Sequence, residues 1–423
     1  MPRFANWDLP GVFKDHFDKS NFETPRSDGR YDRTLGFIHH YIANIKPKLS
    51  FDTVQSPEEY PQWRQKVRAK YRELLDMRND LDVEFVLLNE EQRDGYRLYK
   101  YEFYPEPYLA VPIFVLIPDS VLASKKPAPA VICSPGSGAS LYSLAGEPDN
   151  YINRYPKRNK QAWFYAQAGM IGVAIENPAT ACNSEPDVEY GQVQTKYYSL
   201  MTLAGRSYHG MCTEQRMMIV EFLKKHPLVD NSKIAVSGLS LGCGGVLPIA
   251  TVCDDIAAAV YNDFICSQQA RVSATTEISS ALAPAGGQLY GAMEWFDIQP
   301  DLQAALAPMP VLFTEGGPWK GHLEKIVRAY EMAGASDKLT YFYYDKYADK
   351  ANRKYEDVDL HDMRGLSPLD YLEYSNVDAS QHSFHSELAI PWMMDQFFGH
   401  HNMSEKLKAA IAEAKAEKEV SLK

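Results

Sequence analysis

KIAVSGLSLGCGG, residues 233–245, is the stretch on which the fold class turns. Lys233 to Gly238 is an apolar run of the kind that forms a buried strand, and LGCGGVLPIAT, from Leu241, reads as the start of a packed helix. Between them stands Gly238-Leu239-Ser240-Leu241-Gly242, a G-x-S-x-G. A strand that turns straight into a helix forces strained backbone angles on the corner residue, and small flanking residues let the chain pass close to itself. Such a corner lifts the Ser240 hydroxyl out of the sheet and sets it at a helix N-terminus. Free N–H groups and a positive partial charge there favour a developing anion.

The surrounding sequence repeats the strand–helix alternation. PAPAVICSPGSG (127–138), MIGVAIENP (170–178), AAAVYNDF (257–264), PVLFTEGG (310–317) and LTYFYYD (339–345) are strand-like. QAWFYAQAG (161–169), the segment from about Gly210 to Lys225 and LEKIVRAYEMAG (323–334) are helical. Continuous apolar strands between helices predict an α/β fold with a mostly parallel central sheet and helices on both faces. Upstream, residues 83–105 hold two strand runs around Asp94-Gly95, a hairpin signal, and LAVPIFVLIP (109–118) is a third strand, giving an antiparallel lead-in. Residues 61–77 predict a helix with Trp63, Val67, Tyr71 and Leu74 on one face. The chain therefore divides into an N-terminal extension with a helix (1–80), an α/β domain (81–402) whose long loop at 345–381 is expected to cap the site, and a charged, solvated C-terminal helix (403–423).

HPLVDNSKIAVSGLSLGCGG (226–245) resembles the nucleophile-elbow region of the α/β hydrolases, in the branch of acetyl xylan esterases and dienelactone hydrolases. The likeness covers roughly residues 125–400; the first 80 residues have only a general likeness to bacterial carbohydrate-esterase-like hydrolases. It implies the α/β-hydrolase fold and a serine carboxylesterase working through an acyl-enzyme on a small-molecule or saccharide ester, without a cofactor. Ser240 is then the nucleophile. Chain order in that fold puts the histidine last, which leaves His361, His382, His385, His400 and His401. His382-Ser383-Phe384 matches the family's His-x-Phe before the last helix, with His385 as the alternative. The turn after PVLFTEGG lacks the usual aspartate, since Gly316-Gly317-Pro318-Trp319-Lys320 follows Glu315. The acid is therefore assigned first to Asp263, at an earlier strand end where glucuronoyl esterases look similar, and second to Glu315. Oxyanion donors are expected at Leu241 and in the Ser134–Gly138 loop, at Gly136 and Ser137. Substrate contacts are expected from Arg206, which reads equally as a structural ion pair at a helix start, and from Tyr208 and Trp319, among an aromatic wall that also draws on Tyr190, Tyr197, Tyr198, Tyr261 and Phe264.

Other readings are narrowed by composition. A net charge of −11 with scattered Lys and Arg argues against nucleic acid as the partner. No apolar run is long enough for a membrane span. The N-terminus MPRFANWDLPGVFKDHFDKS has no apolar core or small-residue cleavage site, so a cytoplasmic location is expected, in keeping with six cysteines that form no CxxC pair. The glycine-rich loop lacks the endings that cradle phosphate, and neither His39-His40 nor HDM (361–363) has metal-ligand spacing. Oligomeric state is open, a homo-oligomer included. Two rivals remain: another hydrolase on the same scaffold (peptidase, lactonase or C–C bond hydrolase), and a non-catalytic binding protein, which a fluorophosphonate would not label.

Overall fold

A computed structural model describes residues 34–417, apart from 138, 149–154, 185–191, 266, 276–288, 317–319, 356–357, 361–362 and 364. Nine strands form one sheet in the order β1-β2-β3-β5-β4-β6-β7-β8-β9. β1 (Phe85–Arg93), β2 (Tyr96–Glu106) and β3 (Leu109–Pro118) are the antiparallel lead-in, and β3 joins β5 (Ile171–Ile175) antiparallel. β4 (Ala128–Ser134), β5, β6 (Val229–Leu239), β7 (Ile256–Phe264), β8 (Val311–Gly316) and β9 (Leu339–Tyr343) pair in parallel. The hairpin turns at Asp94-Gly95, and Gly95 takes the left-handed φ of 91°.

The central strands are apolar throughout because both faces are buried. On β4, Ala130 and Ile132 join one cluster while Val131 and Cys133 join the other. On β7, Ala259 and Tyr261 face one side while Ala258 and Val260 face the opposite one. This is the two-residue period of a strand. The helices that matter for the site are α1 (Thr34–Ala43), α2 (Tyr60–Leu75), α3 (Leu141–Ala145), α4 (Gln161–Gln167), α5 (Tyr208–Lys225), α6 (Cys243–Val252), α7 (Gln268–Ala274), α8 (Lys320–Met332), α9 (Ser386–Phe398) and α10 (Glu405–Lys415). Residues of α2, α5, α6 and α8 pack in the first cluster, and residues of α4, α9 and α10 in the second.

Within the N-terminal extension, α2 packs into the core: Tyr60, Trp63, Val67, Tyr71 and Leu75 are buried, with Leu74 partly buried beside them. The Tyr60 hydroxyl donates to the Ala304 and Ala307 carbonyls, at 2.9 and 3.0 Å, and Arg64 and Arg68 donate to Ala305 and Thr251. The C-terminal helix is not solvated all round. Leu407, Ile411 and Ala414 are buried, at the spacing of one helical face. The charges of α10 occupy only its outer face. Among the described residues no helix is long and apolar enough to cross a membrane.

Candidate active site

The corner after β6 has the geometry its sequence predicts. Ser240 has φ 50°, a left-handed value that costs a non-glycine residue of order 1–3 kcal/mol. Such a cost persists only when the surroundings over-determine it, and two glycines do so here. A Cβ on Gly238 would stand 2.7 Å from Val246 Cγ2 and 2.8 Å from the Gly242 carbonyl carbon. A Cβ on Gly242 would stand 2.4 Å from the Ser134 carbonyl oxygen. The corner is thus wedged between the first turn of its own helix and the loop after β4. Gly136 in that loop lies against Leu239, with 3.3 Å to its Cδ2 from an added Cβ. The expected oxyanion donors therefore sit in neighbouring segments. Leu241 and Gly136 are buried, and Ser137 is exposed.

Strand register lines up the polar ends of three strands. Leu239 pairs with Asn262, so Ser240 follows at the level of Asp263. Tyr261 pairs with Phe313 but Phe264 pairs with Glu315, so β7 carries one extra residue, a bulge that re-aims its side chains at the sheet edge. Glu315, fully buried, accepts from the loop that precedes α9. His382 Nδ1 lies 2.6 Å from Glu315 Oε2, and the Tyr344 hydroxyl donates to the same oxygen at 2.7 Å. Asn262 Nδ2 donates to Glu315 Oε1 at 2.9 Å, and the Ser383 N–H at 3.3 Å. Asn262 also donates to the Ser383 carbonyl and accepts from the His385 N–H, at 2.9 and 2.8 Å, so one side chain clamps the histidine loop to the sheet edge.

Both candidate acids lie beside His382: Glu315 is bonded to its Nδ1, and Asp263, at the β7 bulge, is partly exposed. One oxygen of Asp263, one of Glu315 and one ring nitrogen of His382 lie within 4.8 Å of one another. That cluster also has metal-ligand character. However, two of its three donors are bonded to each other at 2.6 Å, and an ion with bonds of about 2.0–2.2 Å would have to part them.

The electrostatics follow. Burial alone would raise the Glu315 carboxyl, but the His382 charge and the hydrogen bonds from both imidazoles hold it well below the carboxylate range. Burial alone would lower His382, but the Glu315 charge and hydrogen bond, with a smaller contribution from Asp263, push it up to about 9. With Nδ1 facing the carboxylate, Nε2 is the basic nitrogen of the neutral ring. His385 has Nε2 3.4 Å from Glu315 Oε1 and Nδ1 3.3 Å from Glu387 Oε1. Both of its nitrogens face carboxylates, so the second-choice base is placed as an ion-pair partner of the acid.

The expected substrate contacts fare differently. Arg206 is consumed by ion pairs, 2.5 Å to Glu106 and 3.3 Å to Glu214, which fix the start of α5 against β2. Tyr208 is buried, donates to the Pro178 carbonyl at 3.2 Å and packs edge-on against Tyr198 at 4.5 Å. The partners that hold both side chains are distant in sequence, save Glu214. Tyr198 and Tyr261 are buried as well. Trp319 and Tyr190 lie outside the described residues, and nothing is described of the Phe264 side chain. The 345–381 stretch is not a bare loop: it contains helices Asp345–Ala348 and Pro368–Tyr374, and Tyr347, Tyr371 and Val377 are buried. Tyr344, just ahead of it, donates to Glu315. Asn262 and Tyr344 were missed as site residues. The only signal for Asn262 was its place beside Asp263 at a strand end.

Residues 15–395 match the model of the Abhydrolase family. No protein of curated function matches the sequence. Among solved structures, a candidate acetyl xylan esterase from Bacteroides fragilis is 32% identical with a TM-score of 0.78, over 88% of this chain and 97% of its own. A methylesterase is 16% identical with a TM-score of 0.48, over 92% and 82%. A glucuronoyl esterase from Solibacter usitatus is 11% identical with a TM-score of 0.46, over 66% and 82%.

Proposed function

This chain belongs to the Abhydrolase family, and from that premise we propose that it is a serine carboxylesterase acting on saccharide esters, with Ser240, His382 and Glu315 as its catalytic residues. The observation that carries the reading is the buried Glu315–His382 pair at 2.6 Å, borne on the sheet edge where Ser240 is held at a positive φ. Such a pair suits the activation of a strand-end serine. It keeps Nε2 basic and stabilises the imidazolium that forms when the hydroxyl gives up its proton.

The reaction then runs in two halves. Ser240 Oγ bonds to the ester carbonyl carbon as its proton passes to His382 Nε2, and the carbonyl π pair moves onto oxygen. That oxyanion sits on the N–H of Leu241 and of Gly136 or Ser137. Collapse expels the alcohol, which takes the proton from His382. Water then repeats the sequence on the acyl-enzyme and frees the acid. Glu315 stays ionised throughout, and Asp263 adds negative potential beside the ring. The saccharide alcohol is supported by the Bacteroides fragilis relative, assigned as an acetyl xylan esterase and similar over nearly its whole length.

The test is covalent capture by a fluorophosphonate with the adduct mapped by mass spectrometry, followed by hydrolysis of acetylated xylo-oligosaccharides beside feruloyl, glucuronoyl, lactone and peptide substrates. We expect the adduct on Ser240, acetate release from the xylo-oligosaccharides, and a loss on the order of 10⁴–10⁶-fold in kcat for Ser240→Ala. An unlabelled protein, or a Ser240→Ala variant with near-full activity, would refute the scheme.

A further inference from the structure

Arg216, on α5, is fully buried, and every one of its acceptors is neutral. Nε and Nη2 donate to the Ser134 hydroxyl at 3.0 and 2.8 Å. Nη2 also donates to Asn177 Oδ1 at 2.7 Å, and Nη1 to the Cys212 carbonyl at 2.9 Å. Among the described residues none of these partners is a carboxylate. The nearest titratable imidazole, His209, is kept neutral, lowered to about 4 by its burial and by the Arg216 charge. A buried cation without a counter-charge is a heavy cost to folding, and well-packed apolar residues would serve stability better. Its place in the fold suggests what it does instead.

The guanidinium lies directly behind the two segments expected to bind the oxyanion. On one side it presses on the first turn of α6: a Cβ on Gly245 would stand 2.4 Å from its Cζ. On the other side it holds Ser134, the residue whose carbonyl meets Gly242 of the corner. Two further bonds finish the loop. Asn177, itself held by Arg216, donates through Nδ2 to the Pro135 carbonyl at 2.8 Å, and Gln161 Nε2 donates to the Ser134 carbonyl at 3.2 Å. The carbonyls of Ser134 and Pro135 are thus tied off, and the next two N–H groups in the chain are those of Gly136 and Ser137.

We propose that Arg216 is a positioning residue for the oxyanion hole: it fixes the Ser134–Ser137 loop against the Ser240 corner and supplies, from behind, a buried positive charge to the oxygen that becomes negative. The inference rests on the carboxylesterase reading above. Charge that is already in place needs no reorganisation when the carbonyl pair moves onto oxygen, and in a site without bulk water its effect is strong. Because the ester gains that charge only on the way to the tetrahedral intermediate, the contribution belongs to kcat and not to KM.

The test uses the full chain and three variants, with Tm, kcat and KM on p-nitrophenyl acetate, and the rate constant of inactivation by a fluorophosphonate. Ser134→Ala removes the hydroxyl that takes two guanidinium bonds and changes little bulk. Arg216→Lys keeps the charge but cannot bridge Ser134 and Asn177, and Arg216→Met removes both. We expect Ser134→Ala to lower kcat about tenfold with KM within about twofold, and to slow inactivation by the same factor. Arg216→Lys should lose about 10²-fold and Arg216→Met about 10³-fold in kcat. If Arg216→Met does not fold, Ser134→Ala and Arg216→Lys carry the test. Wild-type kcat in Ser134→Ala, a loss that appears in KM, or lysine and methionine variants of equal kcat would overturn the inference. Failure of the wild-type protein to react with the phosphonate would overturn the reading of the site itself, a result the wild-type arm gives separately.

Discussion

Replacing Glu315 by glutamine separates the two candidate acids and has a magnitude that follows from the geometry. The substitution keeps the volume and one carbonyl oxygen but removes the charge that faces His382 at 2.6 Å. That charge is the main influence raising the imidazole from 6.5 to about 9, against its burial. A difference of that size corresponds to about 3 kcal/mol of preference for the imidazolium, and the imidazolium is the form present at the tetrahedral intermediate. Loss of it alone predicts roughly a 10²-fold fall in kcat. Disturbing the ring tautomer as well extends the fall toward about 10⁴-fold. The sign on pH is fixed by the same charge. Catalysis needs neutral His382, so the wild-type acid limb of kcat/KM lies well above pH 6.5 and activity still climbs toward pH 9. In Glu315→Gln the ring loses its anion while burial remains, so the limb moves to lower pH. The deficit is therefore largest at alkaline pH and narrows as pH falls. Asp263→Asn should do much less, under about tenfold in kcat, with a small downward movement of the limb. The assay is a pH–rate profile from pH 5 to 10 on p-nitrophenyl acetate for the three proteins. A large loss and limb shift in Asp263→Asn with Glu315→Gln near wild type would refute the assignment.

Three other perturbations test the frame around the pair. Gly242→Ala places a methyl 2.4 Å from the Ser134 carbonyl oxygen; we expect a loss of about 1–3 kcal/mol in stability and about 10²-fold in kcat, and a variant with wild-type kcat would show that the corner tolerates movement. Arg206→Met should lower stability by about 1–3 kcal/mol, because Glu214 loses a partner in a buried setting, while KM for saccharide esters stays within about twofold; a selective rise in KM would restore Arg206 to substrate binding. Removal of residues 403–423 strips Leu407 and Ile411 from the second core cluster, which at about 1.5–3 kcal/mol each predicts a loss of roughly 3–6 kcal/mol, measurable by denaturant titration; a shortened chain of unchanged stability would contradict the packing of α10.

The fold was readable because parallel strands buried on both faces are written as apolar runs, and β4, β5, the second half of β6 and the first parts of β7 and β8 have that form. The strained corner at Ser240 was readable because it needs glycines at two fixed offsets. The place of His382 on a loop before a late helix was readable from its order in the chain and from Phe384, which is buried beside it. The arrangement of the two carboxylates around it was not. Asp263 and Glu315 both end strands, and a single extra residue in β7 between Tyr261 and Phe264 re-aims the side chains there. No local pattern announces a bulge of that kind. For Arg206 the sequence left a substrate contact and an ion pair at a helix start equally open, and only the fold brings Glu106, a hundred residues earlier, against it. For α10 the signal was present, since Leu407, Ile411 and Ala414 follow helical spacing, but the charged residues between them masked a narrow stripe.

The position of the histidine loop depends on more than the triad. Arg158 reaches Ser383 Oγ at 2.5 Å, and its remaining donors go to the Ala414, Lys415 and Glu417 carbonyls at the end of α10. The Glu417 carboxylate returns the contact by accepting the Lys157 and Arg158 N–H groups. A helix C-terminus is the negative end of its dipole, so α10 holds the guanidinium electrostatically as well as by hydrogen bonds. The residue next to the base is therefore braced from outside by the chain's last described helix and from inside by Asn262. Both braces act on Ser383: the guanidinium on its hydroxyl, Asn262 on its carbonyl. A loop fixed at one residue by two independent elements keeps its neighbour, His382, within the narrow range of positions that proton transfer requires. It also explains how His382 is held in place on a loop segment that follows a short 3-10 turn.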